Sequence, residues 1–111
     1  MEIQQIESGR TTVLALTGRI DSSNAIELSN QLRALYAKPG RLLLLDFQQV
    51  DYITSAGFRT LLIGRRHAAS SGGAFALCSL TEKMRDLFDM GGFIENFAIY
   101  ANRDEGILNL V

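Results

Sequence analysis

Apolar and polar positions near the N-terminus predict a strand pair followed by a helix. Residues 2–7 and 11–17 are rich in strand formers, and residues 8–10 form a hairpin-type turn. Residues 18–21 are expected to end the second strand, and a helix is predicted over residues 23–37. Its apolar positions recur at three- and four-residue intervals, at Ala25, Leu28, Leu32 and Leu35. The candidates for its N-cap are Asp21, Ser22, Ser23 and Asn24.

An unbroken run of leucines marks the next strand. Residues 41–47 form the predicted third strand. Its four consecutive leucines, residues 42–45, do not alternate with polar residues, which predicts a strand covered on both faces, as in a parallel sheet. A short loop and a second helix over residues 55–69 should follow, and residues 74–78 should form a fourth strand. By their spacing, the expected inward anchors of that helix are Phe58, Leu61 and Leu62.

Capping residues define the last two helices. Thr81 is the predicted N-cap of a helix ending near Met90, and a short strand is expected at residues 97–100. Asn102 and Glu105 have capping-box spacing and open a helix over residues 102–111. The predicted buried faces of the two helices are Met84, Leu87 and Phe88, and Ile107, Leu108 and Val111.

The element order is therefore β-β-α-β-α-β-α-β-α. Strands that alternate with helices predict an α/β fold, here a mixed but mostly parallel sheet of about five strands with four helices. A length of 111 residues is expected to form one domain, residues 1–111, with a single core.

The amino-acid composition argues against several classes of partner. The formal net charge is −1, without the basic excess that nucleic acids or anionic membranes select, so neither partner is expected. One cysteine, Cys78, lies in an apolar run and is interpreted as a core residue. No apolar leader follows Met1 and no run is long enough to span a membrane, so a cytoplasmic location is the default expectation.

The most informative polar pair is Thr54–Ser55, which opens the second predicted helix. Helix capping is the ordinary interpretation of two such hydroxyls. A phosphate on Ser55 would also lie in the favourable field of a helix N-terminus, so capping and modification do not exclude one another. Catalysis is poorly supported, because the one histidine, His67, lies about three turns further along the helix. A metal site or bound cofactor is not expected.

The run Val50-Asp51-Tyr52-Ile53-Thr54-Ser55-Ala56-Gly57-Phe58-Arg59 resembles the signature loop of STAS domains, specifically bacterial anti-sigma factor antagonists. The resemblance covers nearly the whole chain. Residues 18–21 are similar to the family's Gly-x-Leu-Asp segment, and residues 43–46 to its central strand. Residues 99–100 and 104–106 resemble its closing strand and helix.

The resemblance implies a STAS-like fold and a phosphorylatable residue at Ser55, directly before Ala56 and Gly57. Many members carry Asp or Ser before the switch serine, whereas this chain has Thr54, so a carboxylate contribution there does not carry over. Asp21 matches an aspartate that lies close to the switch serine and is expected to help contact the kinase.

The implied mechanism is partner switching. The unmodified protein would bind a serine kinase that doubles as an anti-sigma factor and has a histidine-kinase-like ATP-binding fold. Phosphorylation of Ser55 would break the complex, and a metal-dependent serine phosphatase would reset it. ATP and metal belong to those partners. We expect the phosphate to act at the interface without unfolding the domain.

The expected contact surface has two parts. They are Asp21, Ser22, Ser23 and Asn24, and Tyr52, Ile53, Thr54, Ser55, Ala56, Gly57, Phe58 and Arg59. Phe58 is more typical of a core than of an interface, and Tyr52 is open between the two. Arg59 is expected to be exposed, either facing solvent or pairing with a partner carboxylate.

The sequence is also compatible with two other functions. The chain could be a structural or regulatory STAS subunit of a transporter or a stress-sensing assembly, where Thr54–Ser55 only cap a helix at an interface. It could also be a small enzyme with Ser55 as nucleophile. The missing catalytic base argues against the enzyme. The stand-alone length, the absence of a transmembrane segment and the retained hydroxyl at Ser55 favour the switch over the structural subunit.

Overall fold

The computed structural model describes residues 1–110, which form a five-stranded sheet with four α-helices. The elements are β1 (Glu2–Ser8), β2 (Thr11–Ile20), α1 (Ala25–Leu35), β3 (Leu42–Ile53), α2 (Ser55–Ser70), β4 (Ala74–Cys78), α3 (Glu82–Met90), a 3-10 turn (Ile94–Asn96), β5 (Ala98–Tyr100) and α4 (Arg103–Asn109). The order and class of the elements confirm the predicted α/β fold.

The strands lie side by side in the order in which they occur along the chain. β1 and β2 form an antiparallel hairpin, and β2 to β5 are parallel to one another. Each parallel step crosses through a helix, as parallel strands require. The carboxyl ends of β2 and β3 therefore meet at one edge of the sheet, where the segments leading into α1 and α2 are neighbours.

The core lies on both faces of this sheet. Helices α1, α2 and α3 cover one face, where Leu43 and Leu45 of β3 are fully buried. Helix α4 covers the other face, where Leu44 and Cys78 belong to a smaller cluster. The leucine run thus alternates between two buried faces, as predicted. Cys78 is fully buried, which confirms its interpretation as a core residue, and this burial raises the pKa of its thiol to about 11.

Strands β2 and β3 are longer than predicted. β2 continues through Gly18, which has a φ of +99°, to Ile20, and β3 continues beyond Phe47 to Ile53. Their pairing shifts register twice, so an irregular ladder replaces the expected strand break and loop. The prediction was wrong because pairing between distant strands, and not local sequence, decides where these strands end.

The N-terminal boundary of α1 also differs from the prediction. The helix begins at Ala25, and Asn24 occupies the N-cap position without making a side-chain cap. Its amide oxygen instead accepts a bond from the Asp21 backbone N–H at 2.9 Å, and its amide nitrogen donates to the Arg19 carbonyl at 2.9 Å. Asn24 therefore fixes the shape of the preceding segment, and the Ala25 N–H at the start of the helix donates to the Asp21 carbonyl at 2.8 Å in place of a side-chain cap.

The last two helices confirm their predicted caps but not every buried position. The Thr81 hydroxyl accepts from the Met84 N–H at 3.2 Å, and the Asn102 amide accepts from the Glu105 N–H at 2.8 Å. Leu108 is 74% exposed, contrary to the prediction, because Gly106 brings the α4 backbone directly against the sheet. The predicted contact of Val111 lies outside the described residues.

Replacing Phe88 should destabilise the fold strongly. Its buried ring makes edge contacts with Phe47, Phe58 and Phe97 at centroid distances of 4.8–5.9 Å. We expect Phe88→Ala to lower the free energy of unfolding by about 3–5 kcal/mol, measured by chemical denaturation. Met90→Ala, in the same helix but 83% exposed, should change it by less than about 0.5 kcal/mol. Equal effects of the two substitutions would contradict this assignment of the core.

Candidate partner-binding site

The paired ends of β2 and β3 position the candidate site. Ile20 and Ile53 are register partners, and the Thr54 N–H donates to the Ile20 carbonyl at 3.0 Å. This bond places the segment that begins with Asp21 beside the first turn of α2. The two parts of the predicted contact surface, separated by about thirty residues in sequence, therefore share one edge of the sheet.

Ser55 is the first residue of α2, and its side chain is exposed. The preceding Thr54 has extended backbone and makes no side-chain cap, so the capping interpretation of its hydroxyl was wrong. The Thr54 hydroxyl lies 3.5 Å from the Ile20 carbonyl, which is a weak contact. Within residues 1–110 the Ser55 hydroxyl has no hydrogen-bond partner, so it is available for chemistry from outside the chain.

Gly57 brings the first turn of α2 close to the sheet. A Cβ atom at this position would lie 2.6 Å from Cγ1 of Ile53 and 2.9 Å from Cγ2 of Ile20. Real side chains do not approach so closely, so the packing requires glycine here. The glycine faces inward, and Ser55, two residues earlier, consequently faces solvent.

Phe58 is a core residue, as the sequence favoured. Its ring stacks on Phe93 at a centroid distance of 4.3 Å and meets the edge of Phe88 at 4.8 Å. Ile53 and Gly57 are buried as well. These three members of the predicted contact surface therefore lie beneath it, and a partner could contact only the other members.

Asp21 organises the segment between β2 and α1. Its carboxylate accepts a bond from the Ser23 backbone N–H at 2.9 Å and a short one from the Ser23 hydroxyl. The Arg19 guanidinium donates to the same carboxylate at 3.1 Å. The bonds from Ser23 hold the pKa of the Asp21 carboxyl below its ordinary value, with a smaller contribution from Arg19. Asp21 is therefore a fixed negative charge at the site over the physiological pH range.

Tyr52 is half-exposed and lies between two cations. The Arg19 guanidinium is 5.1 Å and the Lys83 ammonium 5.7 Å from the centroid of its ring. Sequence reasoning missed this stack because Arg19 and Tyr52 meet only through the register of β2 and β3. The stack links three elements at the edge that holds Ser55.

A shallow groove of about 210 Å³ runs between the first turns of α1 and α2. Ser22 and Ile26 line one side, and Ala56 and Arg59 line the other. Ile26 is 71% exposed and was not among the predicted site residues. Its signal in the sequence was an apolar residue outside the buried stripe of α1. The groove adds an apolar side chain and a cation to the surface next to Ser55.

A second charged pair lies on the opposite face of the sheet and serves the fold. The Arg103 guanidinium donates to Oδ2 of Asp46 through Nε at 3.0 Å and Nη2 at 2.9 Å. Oδ1 of Asp46 accepts from the Gln48 N–H at 2.9 Å. This nearly buried carboxylate is thus fully bonded and attaches the start of α4 to β3.

The described residues offer neither a histidine base near Ser55 nor a cluster of metal ligands. His67 is partly exposed in α2, twelve residues or about 18 Å along the helix from Ser55. Among residues 1–110 no three metal-ligating side chains come together. No helix in that described range is long and apolar enough to cross a lipid bilayer.

Comparison with known proteins identifies the family. The family model of the STAS domain matches residues 2–106. The chain belongs to the STAS domain family. A relative, BtrV of Bordetella bronchiseptica, is 33% identical over 92 residues, which are 83% of this chain and 79% of BtrV. BtrV is named as a candidate anti-sigma factor antagonist.

Solved structures show the same STAS fold. An anti-sigma factor antagonist from Mycobacterium paratuberculosis superposes with a TM-score of 0.86 at 19% identity, over 98% of this chain and 92% of that one. The Bacillus protein SpoIIAA in its phosphorylated form gives a TM-score of 0.75 at 19% identity, over 99% of this chain and 100% of that one. At such identities the likeness concerns the fold.

Gly57→Ala should cost stability because the new methyl group meets Ile53 and Ile20. We expect a loss of about 1–3 kcal/mol in the free energy of unfolding, measured by denaturant titration. Removing the bulk of Ile53 should relieve part of the clash, so Gly57→Ala should cost less in an Ile53→Ala background. The same cost in both backgrounds would argue against this close approach.

Ser23→Ala should raise the pKa of Asp21, since Ser23 supplies the main bonds to its carboxylate. Carboxyl carbon NMR titration measures the shift, and Ser22→Ala is the neighbouring control. Because folding lowers this pKa, the carboxylate stabilises the fold above the unfolded value of about 3.9, and the stabilisation disappears as the pH falls through the folded pKa. An unchanged titration in Ser23→Ala would show that other groups set the pKa.

Proposed function

We propose that this chain is an anti-sigma factor antagonist that works by partner switching in the cytoplasm, with residues 1–111 as its single domain. The unmodified form binds a serine kinase that doubles as an anti-sigma factor, and phosphorylation of Ser55 ends the complex. The observation that carries the proposal is an exposed hydroxyl without a bond inside the described chain, at the start of α2 and beside the Asp21 segment.

The modification is a phosphoryl transfer that the partner catalyses. The Ser55 hydroxyl oxygen attacks the γ-phosphorus of ATP, the bond to ADP breaks, and the hydroxyl proton passes to a base of the kinase. No base of this chain is required, which agrees with the distance of His67. A metal-dependent phosphatase returns Ser55 to its hydroxyl form by hydrolysis.

Electrostatics explains how one phosphate can separate the partners. Phosphorylation adds about −1.5 to −2 charges and three acceptor oxygens at Ser55. At the start of a helix this charge is tolerated by the fold itself. In an interface it must be desolvated, and it lies at the same edge of the sheet as the fixed negative charge of Asp21. The complex therefore loses stability while the domain does not.

The exposed part of the predicted surface supplies the contacts. Asp21, Ser22, Ser23 and Asn24 lie beside Tyr52, Thr54, Ser55, Ala56 and Arg59, and we propose that the kinase covers both groups together. The name of BtrV supports the proposed role as an anti-sigma factor antagonist. The phosphorylated form of SpoIIAA supports the proposed phosphorylation switch. The kinase's histidine-kinase-like ATP-binding fold remains part of the proposal.

A comparative pull-down tests the switch. We expect Ser55→Ala to retain an ATP-binding kinase from the source cell's lysate, identified by mass spectrometry, and Ser55→Asp to retain at least about tenfold less. The physical reason is the negative charge placed in the interface. Ser70→Asp is the matched control, since it adds the same charge to an exposed serine at the far end of α2.

Two results would change the conclusion. If Ser55→Ala and Ser55→Asp retain the same protein equally, Ser55 does not act as a switch, and the structural or regulatory STAS subunit becomes the better assignment. If Ser70→Asp loses the kinase as completely as Ser55→Asp, the effect reflects overall charge and not the site.

A further inference from the structure

We propose that Arg59, a residue that lines the groove between α1 and α2, binds the phosphoryl group on Ser55. This inference rests on the proposed function, because it concerns the modified form of the same site. It assigns Arg59 a phosphate-binding role in the modified protein. The argument uses the geometry of α2, the freedom of the guanidinium and the chemistry of arginine with phosphate.

The helix places the two side chains together. Ser55 and Arg59 are four residues apart in α2, and the Phe58 N–H bond to the Thr54 carbonyl at 3.0 Å shows regular helix in the first turn. Residues at this spacing are neighbours on the helix surface, with Cβ atoms about 6 Å apart. Side chains on a helix also lean toward its N-terminus, so an arginine at position 59 can extend toward position 55.

Both residues lie on the solvent side of the helix. Ser55 and Arg59 are exposed, whereas Gly57 and Phe58 between them are buried. The flexible arginine side chain therefore has open space in which to reach a phosphoryl oxygen. No reorganisation of the core is needed.

The Arg59 guanidinium is not engaged elsewhere in the part of the chain that the structure describes. Arg19, Arg41 and Arg103 each lie within 4.0 Å of a carboxylate, and Arg59 does not. The first turn of α2 also contains no acidic residue. A phosphoryl group on Ser55 would thus supply the nearest strong acceptor on the same helix.

Arginine suits this contact better than lysine. Its planar guanidinium forms two parallel hydrogen bonds to phosphate, whereas an ammonium acts as a point charge. The order is also favourable, because the acidic group precedes the basic one by four residues. Phosphorylation then changes two features of the surface: it adds a dianion at Ser55, and it engages the cation of Arg59, a residue of the groove that Ile26 also lines.

The test uses protein with phosphoserine installed at position 55 during translation, so that no kinase is required. Phosphorus-31 NMR follows the titration of the phosphoryl group, whose ordinary second pKa is about 6. Contact with Arg59 favours the dianion and should lower that pKa. We expect Arg59→Gln to raise it by roughly 0.5 unit relative to the wild type, and Arg59→Lys to give an intermediate value.

Arg66→Gln is the matched control. It removes the same charge from the same helix, at an exposed arginine about 16 Å along the axis from Ser55. Other charges on neighbouring elements, including Asp21, Glu27 and Lys83, are the same in all the proteins compared. The phosphoserine pKa of Arg66→Gln should match the wild type.

The outcomes separate this inference from the proposed function. Equal pKa values in Arg59→Gln and the wild type, or equal shifts in Arg59→Gln and Arg66→Gln, would overturn the contact even if Ser55→Ala captured a kinase. A shift confined to the Arg59 variants would establish the contact even if no kinase were captured. In that second case the partner-switching proposal alone would fail.

Discussion

The close approach of α2 to the ends of β2 and β3 is the constraint on which the site depends. Gly57 permits it, because any larger residue would meet Ile20 and Ile53. With the helix held at this distance, Phe58 enters the aromatic core and Ser55 faces outward. The position of the exposed hydroxyl is therefore a result of buried packing, and the residues that fix it are not those that a partner would touch.

Local sequence predicted the elements well because most of their signals are local. The caps at Thr81 and Asn102 and the apolar stripe of α1 each depend on residues within a few positions of one another. The ends of β2 and β3 could not be found this way. They depend on a ladder between residues more than thirty positions apart, with two register shifts that no local pattern records.

The candidate site also combines features that local sequence predicts with features that only the tertiary structure shows. The signature run pointed to Ser55, and the structure confirms that it begins a helix and is exposed. The stack of Arg19 and Lys83 on Tyr52, and the exposure of Ile26 beside Arg59, arise only when separate elements meet. A sequence pattern can thus locate the reactive group, while the charge and shape of its surroundings require the tertiary structure.

The stack around Tyr52 also gives the site an optical property. The chain contains three tyrosines and no tryptophan, so its ultraviolet emission comes from tyrosine alone. Tyr36 is buried, and its hydroxyl donates to the Ala74 carbonyl at 2.9 Å, far from this edge. Tyr52 is half-exposed between two cations, so an occupant of the site alters its surroundings directly. The protein carries a built-in fluorophore at the surface where its partner is proposed to bind.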